Sequence, residues 1–386
     1  MRLLQISNYF YPHIGGIEQV ARDIAASLRD DPEIEQKIIC FNEDAEDGGC
    51  VCRRSETVRE TVDGTEIIRC GCIAKIASQS LSPAYPSELK QVMTQFKPDI
   101  VIFHYPNPFA ASLLLPMLPA DTRLVLYWHL DITKQKYLGK LFHGQNLRLC
   151  RRADRIIAAS PNYIKGSPYL SQFTQKCVMF PYCISEDRLR ITDAVRAKAE
   201  RIRKKYQDKT IVFAVGRHVE YKGMYYLVQA AKQLGDRFAV LIGGKGPMTE
   251  SLQREAAHIP AVRMLGRIDD ETLLACLLAC DIFAFPSITK NEAFGLALAE
   301  ALYCGKPAVT FTIKGSGVNY VSLDGVTGIE CPNRDSGAFA HALKLLAGDP
   351  QLREKYGQAA GERARALFLF DAYKANITHL IEEVCK

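Results

Sequence analysis

Residues 281–310 read Asp281-Ile-Phe-Ala-Phe285-Pro-Ser-Ile-Thr-Lys290-Asn-Glu292-Ala-Phe-Gly-Leu-Ala-Leu-Ala-Glu300-Ala-Leu-Tyr-Cys-Gly305-Lys-Pro307-Ala-Val-Thr310. The apolar run from Asp281 to Phe285 suits a buried strand, which stops at Pro286-Ser287. An apolar helix follows, with Phe294, Gly295 and Leu296 read as its first turn, and stops at Cys304-Gly305-Lys306-Pro307, a Gly stop with Pro just beyond. A second strand-like run starts at Pro307. Strand, helix and strand in this order imply parallel pairing. The spacing puts Glu292 just ahead of the helix N-terminus and Glu300 about two turns inside it. Free amides at such a terminus favour an anion. Two carboxylates beside it suit a ligand that carries phosphate together with sugar hydroxyls in need of acceptors, and a nucleotide sugar has both.

The same alternation runs outward in both directions. In the first half, Leu3 to Ile6, Gln36 to Phe41, Asp99 to Phe103, Arg123 to Trp128 and Asp154 to Ala158 read as strands. Ile17, Val20, Ala21, Ile24, Ala25 and Leu28 fall at helical spacing between the first two. Charged residues dominate from Glu186 to Lys209. A second strand series then begins with Thr210 to Val215, Phe238 to Ile242, Val262 to Leu265, Ile282 to Phe285 and Pro307 to Thr310. The expected fold class is α/β, with two Rossmann-like doubly wound domains joined near residue 186. A length of 386 residues is too long for one typical core and suits two.

Apolar content of 48% and charged content of 24% are those of a globular protein, and no apolar stretch reaches the ~20 residues of a membrane span. The N-terminus reads as a first buried strand without a signal-peptide layout, so a cytoplasmic protein is expected. A net charge of +6 is too mild to argue for nucleic acid as a partner. The thirteen cysteines are then expected as reduced thiols. Cys50, Cys52, Cys70 and Cys72 form two C-x-C pairs, whereas structural zinc sites favour C-x2-C. An Asp63-Gly64 turn predicts a hairpin in which Cys70 faces a residue near Thr57 rather than Cys52. The hairpin alone therefore does not gather four thiols, and metal on these cysteines stays an open alternative.

In doubly wound sheets, ligands bind at the carboxyl ends of the strands, and the chemically unusual residues fall there. After the first strand come Gly15 and Gly16, which let backbone amides approach a phosphate. His129 and Asp131 follow Trp128. Residues 216–223, Gly-Arg-His-Val-Glu-Tyr-Lys-Gly, follow Val215, and a Gly-x-Gly-Pro loop ending at Pro247 follows Ile242. The two series read as opposing walls of one cleft. No G-x-G-x-x-G follows the first strand, which argues against an NAD-dependent oxidoreductase.

Five of these motifs, in order and over nearly the full chain, resemble the family 4 retaining glycosyltransferases: the Glu-x7-Glu element, Arg217 with Lys222-Gly223, the Gly-x-Gly-Pro loop, the N-terminal Gly-Gly loop, and the segment from Tyr127 to Lys136 with Ser160-Pro-Asn-Tyr163. The last of them is similar to bacterial enzymes that build surface and exopolysaccharide repeats. The resemblance implies the GT-B fold: an acceptor-side domain over residues 1–185, a nucleotide-sugar domain over 186–368, and a last helix, 369–386, crossing back to the first domain. It implies that Arg217 and Lys222 bind the donor pyrophosphate and stabilise the leaving nucleotide diphosphate, which makes metal dispensable and leaves no resident cofactor. Glu300 resembles the acceptor of ribose hydrogen bonds, and Glu292 the contact to the donor sugar at its reacting end. The amides of Phe294, Gly295 and Leu296 would hold sugar hydroxyls or phosphate. His129 resembles a residue beside the donor sugar, with a satisfied core histidine as the alternative, and Asp131 would orient it or accept from the acceptor hydroxyl.

The base-holding loop follows the strand ending at Leu265. Asp269 or Asp270 there would accept from guanine, which favours GDP-mannose over a UDP-hexose, while helix capping is the competing use of the same residues. His104, Tyr105 and Asn107 are read either as lining the acceptor side or as an ordinary loop. A GT-B disaccharide phosphorylase and a non-catalytic nucleotide-sugar binder remain as alternatives. Finally, Lys134, Lys136, Lys140, Arg148, Arg151, Arg152, Arg155 and Lys165 lie among apolar residues with Asp154 as the only acid. This pattern suits an anionic membrane surface and a lipid-linked saccharide acceptor at the inner face of the cytoplasmic membrane, or a solvated helix whose apolar residues pack inward.

Overall fold

The computed structural model describes residues 1–13, 16–43, 50–76, 79–132 and 142–386. It divides into two compact units, Met1–Cys183 with Asp371–Lys386, and Ile184–Phe370.

The first unit holds β1 (Arg2–Ile6), β2 (Glu35–Phe41), β3 (Val58–Val62), β4 (Thr65–Cys70), β5 (Ala74–Ile76), β6 (Gln79–Leu81), β7 (Ile100–Tyr105), β8 (Arg123–Trp128), β9 (Arg155–Ala158) and β10 (Cys177–Met179). Eight of these form one sheet in the order β10-β9-β8-β7-β1-β2-β4-β3, and β5 and β6 pair by themselves. Every neighbour in the large sheet is parallel except β3 on β4. That hairpin turns through Asp63 (φ 50°) and Gly64 (φ 83°), two positive φ values as the Asp-Gly pair requires. Val58 pairs with Arg69, and the Gly71 amide donates to Thr57 Oγ1 at 3.0 Å, so Cys70 lies beside Thr57, and Asn42 bonds both the Cys70 carbonyl and Cys52 Sγ. All thirteen thiols are free of disulfides, and among the described residues no group of three or more His, Cys, Asp or Glu is gathered to hold a metal ion.

The helix Gly16–Ser27 packs Ala21 and Ala25 on Ile38 and Cys40 of β2 and Ile67 of β4, the face its apolar spacing marks. The last helix, Phe370–Cys385, buries Tyr373, Ile377, Leu380, Ile381 and Val384 in this same unit. Its Lys374 meets Asp30 at 2.9 Å, Glu383 pairs with Arg155, and the Tyr373 hydroxyl reaches that of Tyr127. Each buried apolar side chain contributes about 1.5–3 kcal/mol and an exposed ion pair about 0–1 kcal/mol, so the apolar stripe is what docks this helix.

The second unit holds β11 (Thr210–Val215), β12 (Phe238–Gly243), β13 (Val262–Gly266), β14 (Ile282–Phe285), β15 (Ala308–Phe311) and β16 (Gly328–Cys331). All pair in parallel in the order β13-β12-β11-β14-β15-β16. The strand order reverses between β11 and β14, and such a reversal opens a crevice at the carboxyl ends of the two strands. β16 escapes the sequence reading because Gly-Ile-Glu-Cys carries a weak apolar signal. Its Gly328 is required by packing, since a Cβ there would lie 1.9 Å from the Ala308 carbonyl oxygen.

Candidate active site

The loops that leave β11 and β14 carry the residues singled out from the sequence. After β11, Arg217 is exposed, and a turn over Glu220–Lys222 leads to Gly223, which starts the helix Met224–Ala231 at φ 63°. A Cβ on Gly223 would lie 2.0 Å from the Pro286 carbonyl oxygen, so glycine lets the β11 loop press against the β14 loop. The amide of Ile288 donates to the Tyr221 carbonyl at 2.9 Å and ties the same two loops.

This approach brings Lys222 to Glu292. Lys222 Nζ lies 2.5 Å from Glu292 Oε2 and above the Phe285 ring, and the Ser287 hydroxyl donates to the same Oε2 at 3.0 Å. Burial by itself would lower the ammonium pKa, but the charge of Glu292, the Tyr221 hydroxyl and the hydrogen bond to Glu292 together outweigh it and the net shift is upward. Lys222 is therefore a fixed cation beside a carboxylate. The Ser316 hydroxyl donates to the Glu292 carbonyl, and Gly317 abuts Ala293, where a Cβ would lie 2.0 Å from its carbonyl oxygen. Ser287, Ser316 and Gly317 hold the Glu292 loop in place, and the sequence reading gave none of them a role.

The helix begins at Leu296, later than expected. Phe294 and Gly295 precede it, Gly295 at φ 99° packs against the Phe285 ring, and Phe294 is buried edge-on against Phe368. Glu300 is thus the fifth helical residue, a little over one turn in rather than two. It is buried among Leu298, Ala299, Ala301 and Leu302, and its Oε1 accepts from Arg188 Nη1 at 3.1 Å. Burial drives its pKa up to about 7 against the opposing pull of Arg188, with Asp270 adding to the rise.

Both aspartates proposed to read guanine are occupied. Asp269 caps the helix Asp270–Ala279, accepting from the Thr272 amide at 2.7 Å. Asp270 receives Arg188 side-on, Nη2 to Oδ1 at 2.7 Å and Nε to Oδ2 at 3.1 Å. The capping alternative describes Asp269, and Asp270 is an exposed carboxylate that pairs with Arg188. Arg188 was hidden within the charged run after Glu186, where nothing in the pattern separates it from its neighbours.

In the first unit, Gly16 is the exposed first residue of its helix, with open space where a side chain would stand. Gly15 lies outside the described residues. His129 is only 1% exposed. Its Nδ1 meets the Tyr182 hydroxyl at 2.7 Å and its Nε2 meets His104 Nδ1 at 2.9 Å, while His104 Nε2 meets Gln5 Oε1 at 3.0 Å. With Gln5 accepting, protons run in one direction from Tyr182 through both neutral rings. Burial holds both imidazoles neutral, His104 at about 3 and His129 well below its ordinary range, where the neighbouring His104 adds to the effect. Both ring nitrogens of His129 are thus engaged within this unit, as the core-histidine alternative describes.

Asp131 accepts from Trp128 Nε1 and from the Ser167 hydroxyl, so the groups that orient His129 are His104 and Tyr182 instead. Asn107 caps the helix Pro108–Met117, and Tyr105 stacks on Trp128. The basic segment also divides. Arg152 donates to the carbonyls of Pro119 and Thr122, and Arg155 pairs with Glu383, while Arg148, Arg151 and Lys165 are exposed. Leu149 packs inward, and Lys134, Lys136 and Lys140 lie outside the described residues.

The chain thus has two doubly wound domains, and in the second a cation and a carboxylate converge at the switch point. Residues 14–164 match the Glycosyltransferase Family 4 domain and residues 195–363 the Glycosyl transferases group 1 domain. The chain is 30% identical to the O-antigen chain mannosyltransferase C of Escherichia coli over 99% of both chains. It is 34% identical to the D-rhamnosyltransferase WbpZ of Pseudomonas aeruginosa over 70% of each. Sucrose-phosphate synthase from Thermosynechococcus elongatus shares its fold with a TM-score of 0.79 at 18% identity, covering 99% of this chain and 98% of the other. Anabaena HepE in complex with UDP does so at 0.77 and 17%, covering 99% and 100%. The chain belongs to the family 4 glycosyltransferases and has the GT-B fold.

Proposed function

We propose that this glycosyltransferase moves a hexose, mannose in preference, from a nucleotide sugar to a saccharide acceptor with retention of configuration and without metal, in bacterial surface polysaccharide synthesis. The observation that carries the reading is the Lys222–Glu292 pair at the switch point, where the two loops leaving β11 and β14 converge. Lys222 supplies the fixed positive charge needed as negative charge develops on the leaving diphosphate, and Arg217 follows the same strand. Glu292 offers a carboxylate to the hydroxyls of the transferred sugar. The leaving phosphate oxygen takes the acceptor proton on the same face while the sugar passes through an oxocarbenium-like state, so no covalent nucleophile is required. Mannose is favoured because the full-length E. coli relative is an O-antigen mannosyltransferase. GDP-mannose is accordingly the favoured donor, with Asp270 as an exposed carboxylate after β13.

A lipid-linked acceptor and a peripheral position on the inner face of the cytoplasmic membrane belong to the same reading, supported by exposed Arg148, Arg151 and Lys165. Among the described residues no helix is long and apolar enough to cross a membrane. The test is turnover of a panel of nucleotide sugars including GDP-mannose and UDP-glucose, with orthophosphate as control co-substrate. GDP-mannose turnover is expected. Preference for a UDP-hexose would change the donor, dependence on orthophosphate would make the protein a phosphorylase, and binding without turnover would make it a nucleotide-sugar binder.

A further inference from the structure

Three groups far apart in sequence meet in the second unit: Arg188 from the segment that opens the unit, Asp270 from the helix after β13, and Glu300 from the helix after β14. The guanidinium uses Nε and Nη2 on the two oxygens of Asp270 and has Nη1 left for Glu300 Oε1. Side-on pairing of this kind fixes the plane of the fork, and therefore the direction in which Nη1 points. Among the described residues Glu300 Oε2 has no hydrogen-bond partner, so the carboxylate is held by one oxygen and presents the other.

We propose that Arg188 is the positioning residue for the nucleoside half of the donor, braced by Asp270 so that it keeps Glu300 a carboxylate with Oε2 directed at the ribose hydroxyls. The inference rests on the reading of this unit as the nucleotide-sugar domain and deepens it. Glu300 stands among four apolar helical neighbours and is 5% exposed, a setting in which a carboxylate takes up a proton unless a cation faces it. Arg188 is that cation. Of the other titratable groups around it, Asp270 raises its proton affinity, while the Cys304 thiol at the end of the same helix is kept neutral by burial. A protonated Glu300 would keep a weaker acceptor and gain a donor, whereas two adjacent ribose hydroxyls call for an ionised acceptor. The same brace gives a part to Asp270, which is paired although it stands at the surface: it aims Arg188.

The experiment is calorimetric titration of the full chain with GDP and, in parallel, UDP, each against its 2′,3′-dideoxy counterpart, from about pH 5.5 to about pH 9. The ratio of ribose to dideoxyribose affinity cancels the titration of the phosphates. Wild-type protein is expected to prefer the ribose form by roughly tenfold or more, with the preference growing as pH rises through about 7. R188Q should lose most of that preference at neutral pH and regain it only at higher pH. R188K keeps the charge without the fork, so it should hold the wild-type midpoint with a smaller preference, and it carries the test if R188Q does not fold. Wild-type preference and midpoint in R188Q, or in R188K where R188Q does not fold, with the wild type discriminating normally, would overturn the role of Arg188 alone. A wild type that binds nucleotide without preferring ribose would remove Glu300 from the ribose and the inference with it. A wild type that binds neither nucleotide would overturn the donor-site reading itself.

Discussion

Replacing Lys222 by Ala removes the ammonium that lies 2.5 Å from Glu292, with only 15% and 10% of the two side chains exposed. Deleting one partner of a buried pair costs about 3–5 kcal/mol, because the other charge is left uncompensated. Residual exposure and the Ser287 hydroxyl, which still donates to Glu292, put the expected loss near the lower end, about 3 kcal/mol. At about 2–4 °C per kcal/mol for a domain of this size, the transition of the second unit should fall by about 6–12 °C in scanning calorimetry. The double variant K222A/E292Q should recover part of the loss, since the isolated carboxylate is gone, giving a coupling energy of about 1–3 kcal/mol. The functional arm uses the same instrument. GDP at about a hundred times its Kd should stabilise the wild type by about 2.7 kcal/mol, and K222A should show a much smaller rise at the same concentration. Single variants that melt with the wild type and a strictly additive double variant would refute the pair. A K222A transition that still rises fully with GDP would remove Lys222 from the diphosphate.

The two glutamates should separate in kinetics: E300Q weakens nucleotide binding, whereas E292Q lowers kcat at saturating donor while nucleotide still binds; full turnover in both would contradict the site. Activity should survive EDTA, and an α-linked donor should yield an α-linked product by proton NMR, with a β product excluding retention. Asp23 is buried in the helix Gly16–Ser27 and accepts from the Cys183 thiol. Burial lifts its pKa from 3.8 to about 6, so its contribution to stability is complete below about 3.8 and lost as pH rises through about 6. In urea titrations D23N should therefore gain on the wild type between acid and neutral pH, by up to about 3 kcal/mol, and a pH-independent difference would argue against that shift. Sedimentation with anionic vesicles at low salt should retain the wild type, and the R148E/R151E variant should remain in the supernatant; a wild type that does not sediment removes the membrane role.

Much of this site was legible because its signals are local. Glycine and proline punctuation marked the ends of β14 and of the helix carrying Glu300, and the Asp63-Gly64 pair marked its hairpin through the positive φ values it tolerates. The boundary at Leu296 was missed because Gly295 is compatible both with a first helical turn and with the positive φ it takes ahead of one. Asp269 and Asp270 were adjacent carboxylates of equal standing in sequence. Only the capped amide of Thr272 and the fork of Arg188 separate them. His129 was ambiguous for the same kind of reason, since a histidine after an apolar strand reads alike whether its ring faces a ligand or a second histidine.

Two series of alternating strands and helices, the family to which they belong, and the loops that bear the charged residues are all legible along the chain. These follow from apolar periodicity and backbone punctuation within a few residues of one another. Which of those loops become neighbours depends on how the strands pack. Strand order sets β11 beside β14, and Lys222 reaches Glu292 through a glycine that admits close backbone approach. Arg188 meets Asp270 and Glu300, 82 and 112 residues away in the chain, and His129 turns into a buried chain with His104 and Tyr182. Such choices rest on the lateral order of parallel strands and on the cost of leaving a buried charge or polar ring without a partner, and both are settled only when distant segments pack together.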